Sequence, residues 1–276
     1  MSAVPKRIPR RVRRGVFGRD PEAYDRARLA YPKRVYEILT TRCGLRPGAA
    51  VFEIGPGTGI ATRELLRLGA NPLTLVEPDR RLARYLMDSV GSLGGRVKVS
   101  TERFEDAALS AEGFDLGVAA TSFHWLPERL ALRRVARALK PGGWWATWNN
   151  HHGDAHRPSP FHRALQPLYR ELSHGRGVVP GGGQTKASAA RDRRNRLRAL
   201  ESVNKFDHIS REDIRWTVTL ATSRVRALWG TFSDVVTLPS KKREWFLTGL
   251  GRIVDEQFGG EVSLPMLTPV YTARRA

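Results

Sequence analysis

Residues Val51 to Gly59 read Val-Phe-Glu-Ile-Gly-Pro-Gly-Thr-Gly, an apolar strand running into three alternating glycines. Eighteen residues later Glu77 closes a second apolar run, Leu73-Thr74-Leu75-Val76. Strand, glycine loop, helix, strand and acid in that order point to a sheet that meets a nucleoside at its strand ends. Spacing narrows the choice. A dinucleotide loop needs its third glycine three residues after the second, where helix and strand pack beneath a pyrophosphate, and that place is Ile60 here. The third glycine instead follows two residues after the second, giving Glu53-x-Gly55-x-Gly57-x-Gly59. At Gly55, Gly57 and Gly59 the missing β-carbons would let a ligand reach bare backbone. An ionised Glu77 suits a pair of hydroxyls, because charge-assisted hydrogen bonds are the stronger kind.

The rest of the chain alternates. Lys33 to Cys43 places Val35, Ile38 and Leu39 on one helical stripe, and Leu45-Arg46-Pro47-Gly48 turns into a strand at Ala49 to Ile54. A helix at Ile60 to Leu68 stops at Gly69; a strand at Leu73 to Glu77, a helix at Arg80 to Val90 and a short strand at Val97 to Ser100 follow. Phe114 to Ala120 forms a fourth strand and Leu130 to Leu139 a helix. Lys140-Pro141-Gly142-Gly143 ends that helix before a fifth strand at Trp144 to Trp148. This alternation predicts an α/β fold with ligands at the carboxyl edge of a parallel sheet. Pro180-Gly181-Gly182-Gly183 excludes a regular element over Val178 to Ser188.

The glycine pattern resembles the first motif of class I S-adenosylmethionine (SAM) methyltransferases. Two further motifs, Tyr24-x-x-x-Arg28-x-x-Tyr31-Pro32 and Ser122-Phe123-His124-Trp125, look like the trans-aconitate-methyltransferase-like group of small-molecule enzymes. The resemblance implies a Rossmann-like, seven-stranded, mostly parallel sheet with an antiparallel C-terminal hairpin and a helical lid insertion. Glu261 to Leu264 and Pro269 to Ala273 would supply the hairpin. Residues 150–235 would supply the substrate-binding lid, residues 21–276 the whole catalytic domain, and residues 1–20 a disordered basic arm. The implied cofactor is SAM: its amino-acid end along the Glu53 to Gly59 loop, Glu77 on its ribose, Phe104 and Glu105 flanking adenine, Tyr24 and Arg28 closing over it, and Thr121 completing the set. Leu29 replaces the proline usual after that arginine, and Arg103 stands where many relatives have an aspartate.

Methyl transfer from a sulfonium is an in-line displacement whose leaving group is already charged, so alignment and exclusion of water can supply most of the acceleration. His124, just after the fourth strand, is the candidate general base for a hydroxyl nucleophile. In the alternative reading it packs with Trp125 as a wall. His151 and His152 follow the fifth strand, and one of them at most reaches the acceptor, since neighbours in extended chain point apart. No acids stand at ligand spacing near these histidines, so no metal is expected.

Composition bears on partners. The 276 residues carry a formal charge of +20, with arginine supplying 39 of 47 bases. The excess is concentrated in Lys6 to Arg19 and Lys186 to Arg198, read as a tail and a solvated face. Arginine hints at an anionic acceptor, and Trp216, Trp229 and Phe232 hint at an aromatic one. RNA is the competing acceptor, but Thr121-Ser122-Phe123-His124 replaces the Asn/Asp-Pro-Pro-aromatic clamp of exocyclic-amine enzymes, so specific nucleic-acid binding is not expected. No apolar run approaches the ~18 residues of a membrane span and the start lacks a signal peptide's apolar stretch, which points to a cytoplasmic protein. The single cysteine, Cys43, reads as a packed thiol. Oligomeric state is not legible.

Overall fold

The computed structural model describes residues 15–91, 96–157, 159–172 and 185–276. Its centre is a seven-stranded sheet in the order β3-β2-β1-β4-β5-β7-β6. The strands are β1 (Val51–Ile54), β2 (Leu73–Val76), β3 (Val97–Ser100), β4 (Phe114–Ala120), β5 (Leu139–Trp148), β6 (Phe206–Ala221) and β7 (Glu261–Arg275). β1 to β5 pair in parallel, and β7 pairs antiparallel with both β5 and β6. β1 lies between β2 and β4, so the chain direction across the sheet reverses beside it. The crevice at that reversal holds the site.

Helices cover both faces because a parallel strand is apolar on both. On one face α2 (Lys33–Thr41), α3 (Ile60–Arg67) and α4 (Arg80–Val90) bury Val35, Leu39, Leu65 and Leu86. On the other, α5 (Glu128–Ala138) packs Leu132 and Val135 over Phe52, Phe114 and Trp145. Gly117 of β4 makes room for this layer, since a β-carbon there would lie 2.3 Å from the Phe52 ring. Cys43 is a packed thiol, and burial pushes its pKa up to about 12.

Most of the expected elements stand within two residues of their sequence limits, with three departures. First, the C-terminal hairpin lies elsewhere: Glu261 to Leu264 and Pro269 to Ala273 belong to one continuous β7, whose hairpin partner is β6. Pro265 and Pro269 pass unbroken because β5 pairs only with Val270 to Arg274, so at both prolines β7 is laddered to β6 alone. Second, β6 lies inside residues 150–235, so that segment is not simply a helical lid. Its Arg211-Glu212-Asp213 run carries charges of the kind found on an edge strand. Helices α6 (Pro160–Ala164), α7 (Gln166–Leu172), α9 (Thr222–Gly230) and α11 (Ser240–Phe258) share a separate core of Phe161, Tyr169, Trp229 and Phe246 against β6 and β7. Trp229 is fully buried there, and Trp216 donates to Thr268 Oγ1, so neither lines the site. Third, β5 begins at Leu139, through the Pro141-Gly142-Gly143 stretch expected to be a turn; the register shift between Phe114 and Leu116 absorbs the irregularity.

Residues 15–20 are folded rather than part of a disordered arm. Val16 is buried, and Phe17–Arg19 form a 3-10 turn leading into α1 (Pro21–Ala27). The arm before residue 15 and most of the Val178 to Ser188 segment lie outside the described residues. The last residues of that segment are helical, because α8 (Lys186–Glu201) starts at Lys186 behind its Thr185 cap. This α8 carries the second basic cluster on an exposed face, with Arg196 turned in to Glu128 at 3.1 Å.

Candidate active site

The glycine loop enters α3 with Gly55, Gly57 and Gly59 all at positive φ (62°, 60° and 89°), a region that side chains rarely adopt. Of the three, Gly57 alone faces open space. A β-carbon at Gly57 would have nothing within 4 Å and would stand in the cavity. One at Gly55 would lie 2.7 Å from Ser122 Cβ, and one at Gly59 would lie 2.4 Å from Leu86 Cδ1. Those two glycines therefore admit protein, letting the β4 turn and α4 close on the loop.

Two buried carboxylates face this loop. Glu77 accepts from the Gly57 N–H through Oε2 and from the Asp79 N–H through Oε1, both at 3.0 Å, so each oxygen keeps lone-pair capacity for a hydroxyl. Glu53 accepts from Thr62 Oγ1 at 2.7 Å through Oε2, while its buried Oε1 has no partner. Burial raises the pKa of each to about 7; the Thr62 bond to Glu53 and the two N–H bonds to Glu77 oppose that rise. A carboxylate oxygen left orphaned beside an open loop fits a ligand that brings hydrogen-bond donors.

These groups line one cavity of about 1050 Å³, at the upper end of the roughly 300–1,000 Å³ usual for small-molecule pockets. Every expected site residue lines it: Tyr24, Arg28, Glu53, Gly55, Gly57, Glu77, Phe104, Glu105, Thr121 and His124, with the exception of Gly59, which stands behind the loop. Residues 15–31 cover part of it. Phe17 packs against Tyr24 (5.5 Å between centroids) and Trp125 (6.3 Å), joining the N-terminal segment to the turn after β4. The cover is tied down at Asp79, which caps α4 and holds the Arg81 guanidinium at 2.7 Å, while Arg81 Nη2 also donates to the Gly15 carbonyl. Burial alone would raise the Asp79 pKa, but the Arg81 contacts hold it below the usual carboxylate range.

The far end is built by Asn149 to His152 after β5 and by Thr231 to Asp234 around the start of α10 (Ser233–Val236). Both His151 and His152 line it, contrary to the expectation of one at most. The chain is not extended here: His151 bridges to Leu267, a bend follows, and Gly153 takes φ 133°. Asn149 Nδ2 donates to His151 Nε2 at 3.0 Å. Burial lowers the His151 pKa to about 4 and holds that of His152 well below the usual imidazole range, with Arg28 adding to the second effect, so both imidazoles are neutral near pH 7. Arg28 lies over the rings of Tyr24 and Phe232 (5.4 and 5.7 Å), and no carboxylate pairs with it among the described residues. His124 is exposed at the cavity mouth, its ring 4.7 Å from that of Trp125.

The sequence did not single out Phe17, Asn149, Thr231 or Asp234. No motif marks them; they reach the cavity because distant segments meet there. Phe232 was noted only for its ring, and it does line the cavity.

Residues 51–143 match the family described as a methyltransferase domain. An uncharacterized methyltransferase of Mycobacterium tuberculosis is 28% identical over 127 residues, 46% of this chain and 49% of the relative. A ribosomal RNA small subunit methyltransferase A of Sphingopyxis alaskensis is 34% identical over 104 residues, 37% of this chain and 36% of the relative. The chain thus spans about half the length, or less, of these curated relatives. A solved structure of a putative type II methyltransferase from Anaeromyxobacter dehalogenans superposes with TM-score 0.60 at 17% identity, covering 90% of this chain and 97% of that one. No helix among the described residues is long and apolar enough to cross a membrane. Residues 51–143 thus carry the match to a methyltransferase domain, and the strand order, the open Gly57 and the two buried carboxylates are similar to those of class I SAM-dependent methyltransferases.

Proposed function

We propose that the protein transfers the methyl group of SAM to a small-molecule acceptor. The observation that carries this reading is the shape of the cavity. It runs from the glycine loop and Glu77 to His151, His152 and Phe232, and residues 15–31 cover part of it. A partly covered chamber of this kind favours a small acceptor beside the cofactor over a polymer.

SAM supplies a methyl on a sulfonium, whose departure as a neutral thioether drives the displacement. The chain supplies the rest. Glu77 would accept from the ribose hydroxyls, Glu53 Oε1 would take a donor from the amino-acid end, Phe104 and Glu105 would flank the base, and Tyr24 with Arg28 would close over the top. The apolar and aromatic cover excludes water from the reacting atoms. Asn149 and the neutral His151 and His152 offer hydrogen bonds for orienting the acceptor. Where the nucleophile is a hydroxyl, His124 at the mouth is the proton acceptor; where it is an amine or carbanion, alignment suffices. Arg28, without a carboxylate partner among the described residues, and Phe232 favour an acceptor with an anionic or aromatic part.

The test is mass spectrometry of a metabolite extract incubated with the protein and SAM bearing a deuterated methyl. A labelled metabolite supports the reading and identifies the acceptor. Label confined to one nucleotide of cellular RNA would overturn it in favour of the RNA reading, toward which the Sphingopyxis relative and the basic surface lean.

A further inference from the structure

Thr121 stands where a threonine is costly. Its φ of 58° lies in the left-handed region, which a β-branched residue occupies at a cost on the order of 1–3 kcal/mol. Its surroundings hold it there: the Thr121 N–H donates to the Trp148 carbonyl at 2.8 Å, and the next hydroxyl, Ser122 Oγ, donates to the Ile54 carbonyl. Glycine or asparagine would satisfy the same turn with less strain. What threonine adds is a hydroxyl, and that hydroxyl lies 2.8 Å from the phenol oxygen of Tyr31.

Tyr31 is held as firmly. Its ring meets Trp148 edge-on at 5.7 Å, and Asn150 Nδ2 donates to the carbonyl of Ala30. Asn150 is itself fixed by Thr268, and Thr268 by Trp216, so the bracing runs back to β6 and β7. Burial raises the Tyr31 pKa beyond the ordinary phenol range despite the Thr121 bond, which keeps the phenol neutral. One proton lies between the two oxygens and one hydroxyl proton remains, so lone pairs are left over whichever group donates.

The pair also lies at a seam. Thr121 follows β4, whose neighbours are β1, leading to Glu53 and Gly55, and β5, leading to Asn149 and His151. Tyr31 and Thr121 both line the cavity. Glu77 and His151 line the same cavity, so a ligand reaching from one toward the other would have these oxygens in its wall.

We infer that the Tyr31–Thr121 hydroxyl pair is a positioning device for the methyl-bearing sulfonium, setting its uncharged oxygens against the cationic centre rather than against the rest of the cofactor. The inference rests on the SAM-dependent reading above. It predicts discrimination by charge at one atom. Tyr31→Phe keeps the ring and its contact with Trp148 while removing the oxygen.

The experiment is titration calorimetry of three ligands, SAM, S-adenosylhomocysteine and sinefungin, on wild type, Tyr31→Phe and Thr121→Ser, with melting temperatures alongside. Sinefungin carries an amine-bearing carbon in place of the methylated sulfur. In Tyr31→Phe, SAM affinity is expected to fall about 3- to 10-fold and sinefungin affinity at least as far, with S-adenosylhomocysteine affinity within twofold of wild type. Thr121→Ser retains the hydroxyl and is expected to preserve all three. Equal losses for the three ligands in Tyr31→Phe, or no loss for any, overturn the inference. Failure of the wild type to bind any of them instead defeats the SAM-dependent reading on which it rests.

Discussion

The cofactor end of the cavity is made by consecutive chain, with Glu53 to Gly59 and Glu77 to Arg81 supplying the loop, both carboxylates and the cap of α4. The far end, which we read as the acceptor's, is collected from residues 149–152 and 231–234, segments about eighty residues apart in the chain. Backbone groups dominate the first, with Gly57 open and the N–H groups of Gly57 and Asp79 on Glu77. Side chains dominate the second. A backbone site depends on torsions that few residues can adopt, so its motif is confined. A side-chain site can be rebuilt by substitution at any of several positions while the fold stays, which is how one scaffold serves different acceptors.

The comparison breaks most sharply at Gly57. Gly57→Val sets a branched side chain into the cavity from a positive φ and is expected to abolish SAM binding, read as loss of the ligand-induced rise in melting temperature. Because strain at φ 60° also destabilises the fold, Gly57→Ala serves beside it. A folded Gly57→Val protein with SAM affinity intact would remove the loop from the cofactor site.

Next in size is His124 at the cavity mouth, where the chemistry is tested without disturbing the glycine loop. If the acceptor is a hydroxyl, His124→Gln is expected to lower turnover about 10²- to 10⁴-fold, with the loss shrinking for acceptors of lower pKa and SAM affinity unchanged. Glutamine keeps a hydrogen bond and much of the volume but takes no proton near pH 7. Near-normal turnover would assign His124 to the wall it forms with Trp125 and leave alignment as the mechanism.

Glu77→Ala is expected to weaken SAM by about 1.5–3 kcal/mol, the range for hydrogen bonds to a charged group. Glu77→Gln should recover part of the loss, because an amide oxygen still accepts. The loss should fall equally on SAM and S-adenosylhomocysteine, which share the ribose; a selective loss of one would move Glu77 off the sugar.

The same division explains what could be read from sequence. Glycine positions and the acid at 77 are legible because torsion and chain direction demand those residues, and α4, β3 and β4 stand at their expected limits. The two roles inside the glycine triplet were not legible, since the packing of Ser122 and Leu86 against Gly55 and Gly59 is tertiary. β6 was hidden because an edge strand carries charges that imitate a loop, and β7 because its prolines imitate a turn. His152 reaches the cavity through a bend whose only sequence sign is Gly153. Tyr31 lay inside a motif without a role, because its partner is 90 residues away.

The smallest effect is also the one that joins the two carboxylates to the fold. Glu53 and Glu77 have folded pKa values raised to about 7, above the ordinary 4.5, so between those values the folded chain holds protons that the unfolded chain has released. Stability from this source is therefore present below pH 4.5, falls as pH rises toward 7, and changes little above it. The chain's charge of +20 acts in the opposite sense, since added protons at low pH increase self-repulsion, so the raw profile of the ligand-free protein mixes both. Subtraction separates them. In Glu53→Gln the amide does not titrate and can still accept from Thr62, so the melting temperature is expected to lose less than wild type does between pH 5 and pH 8. Hydrogen-bond donors arriving with SAM favour the ionised carboxylates, so binding near pH 6.5 should release protons, measured as a heat that depends on the buffer's ionisation enthalpy. In Glu53→Gln that release should shrink. Identical pH profiles and identical buffer dependence in the two proteins would show that Glu53 is already ionised before the cofactor arrives.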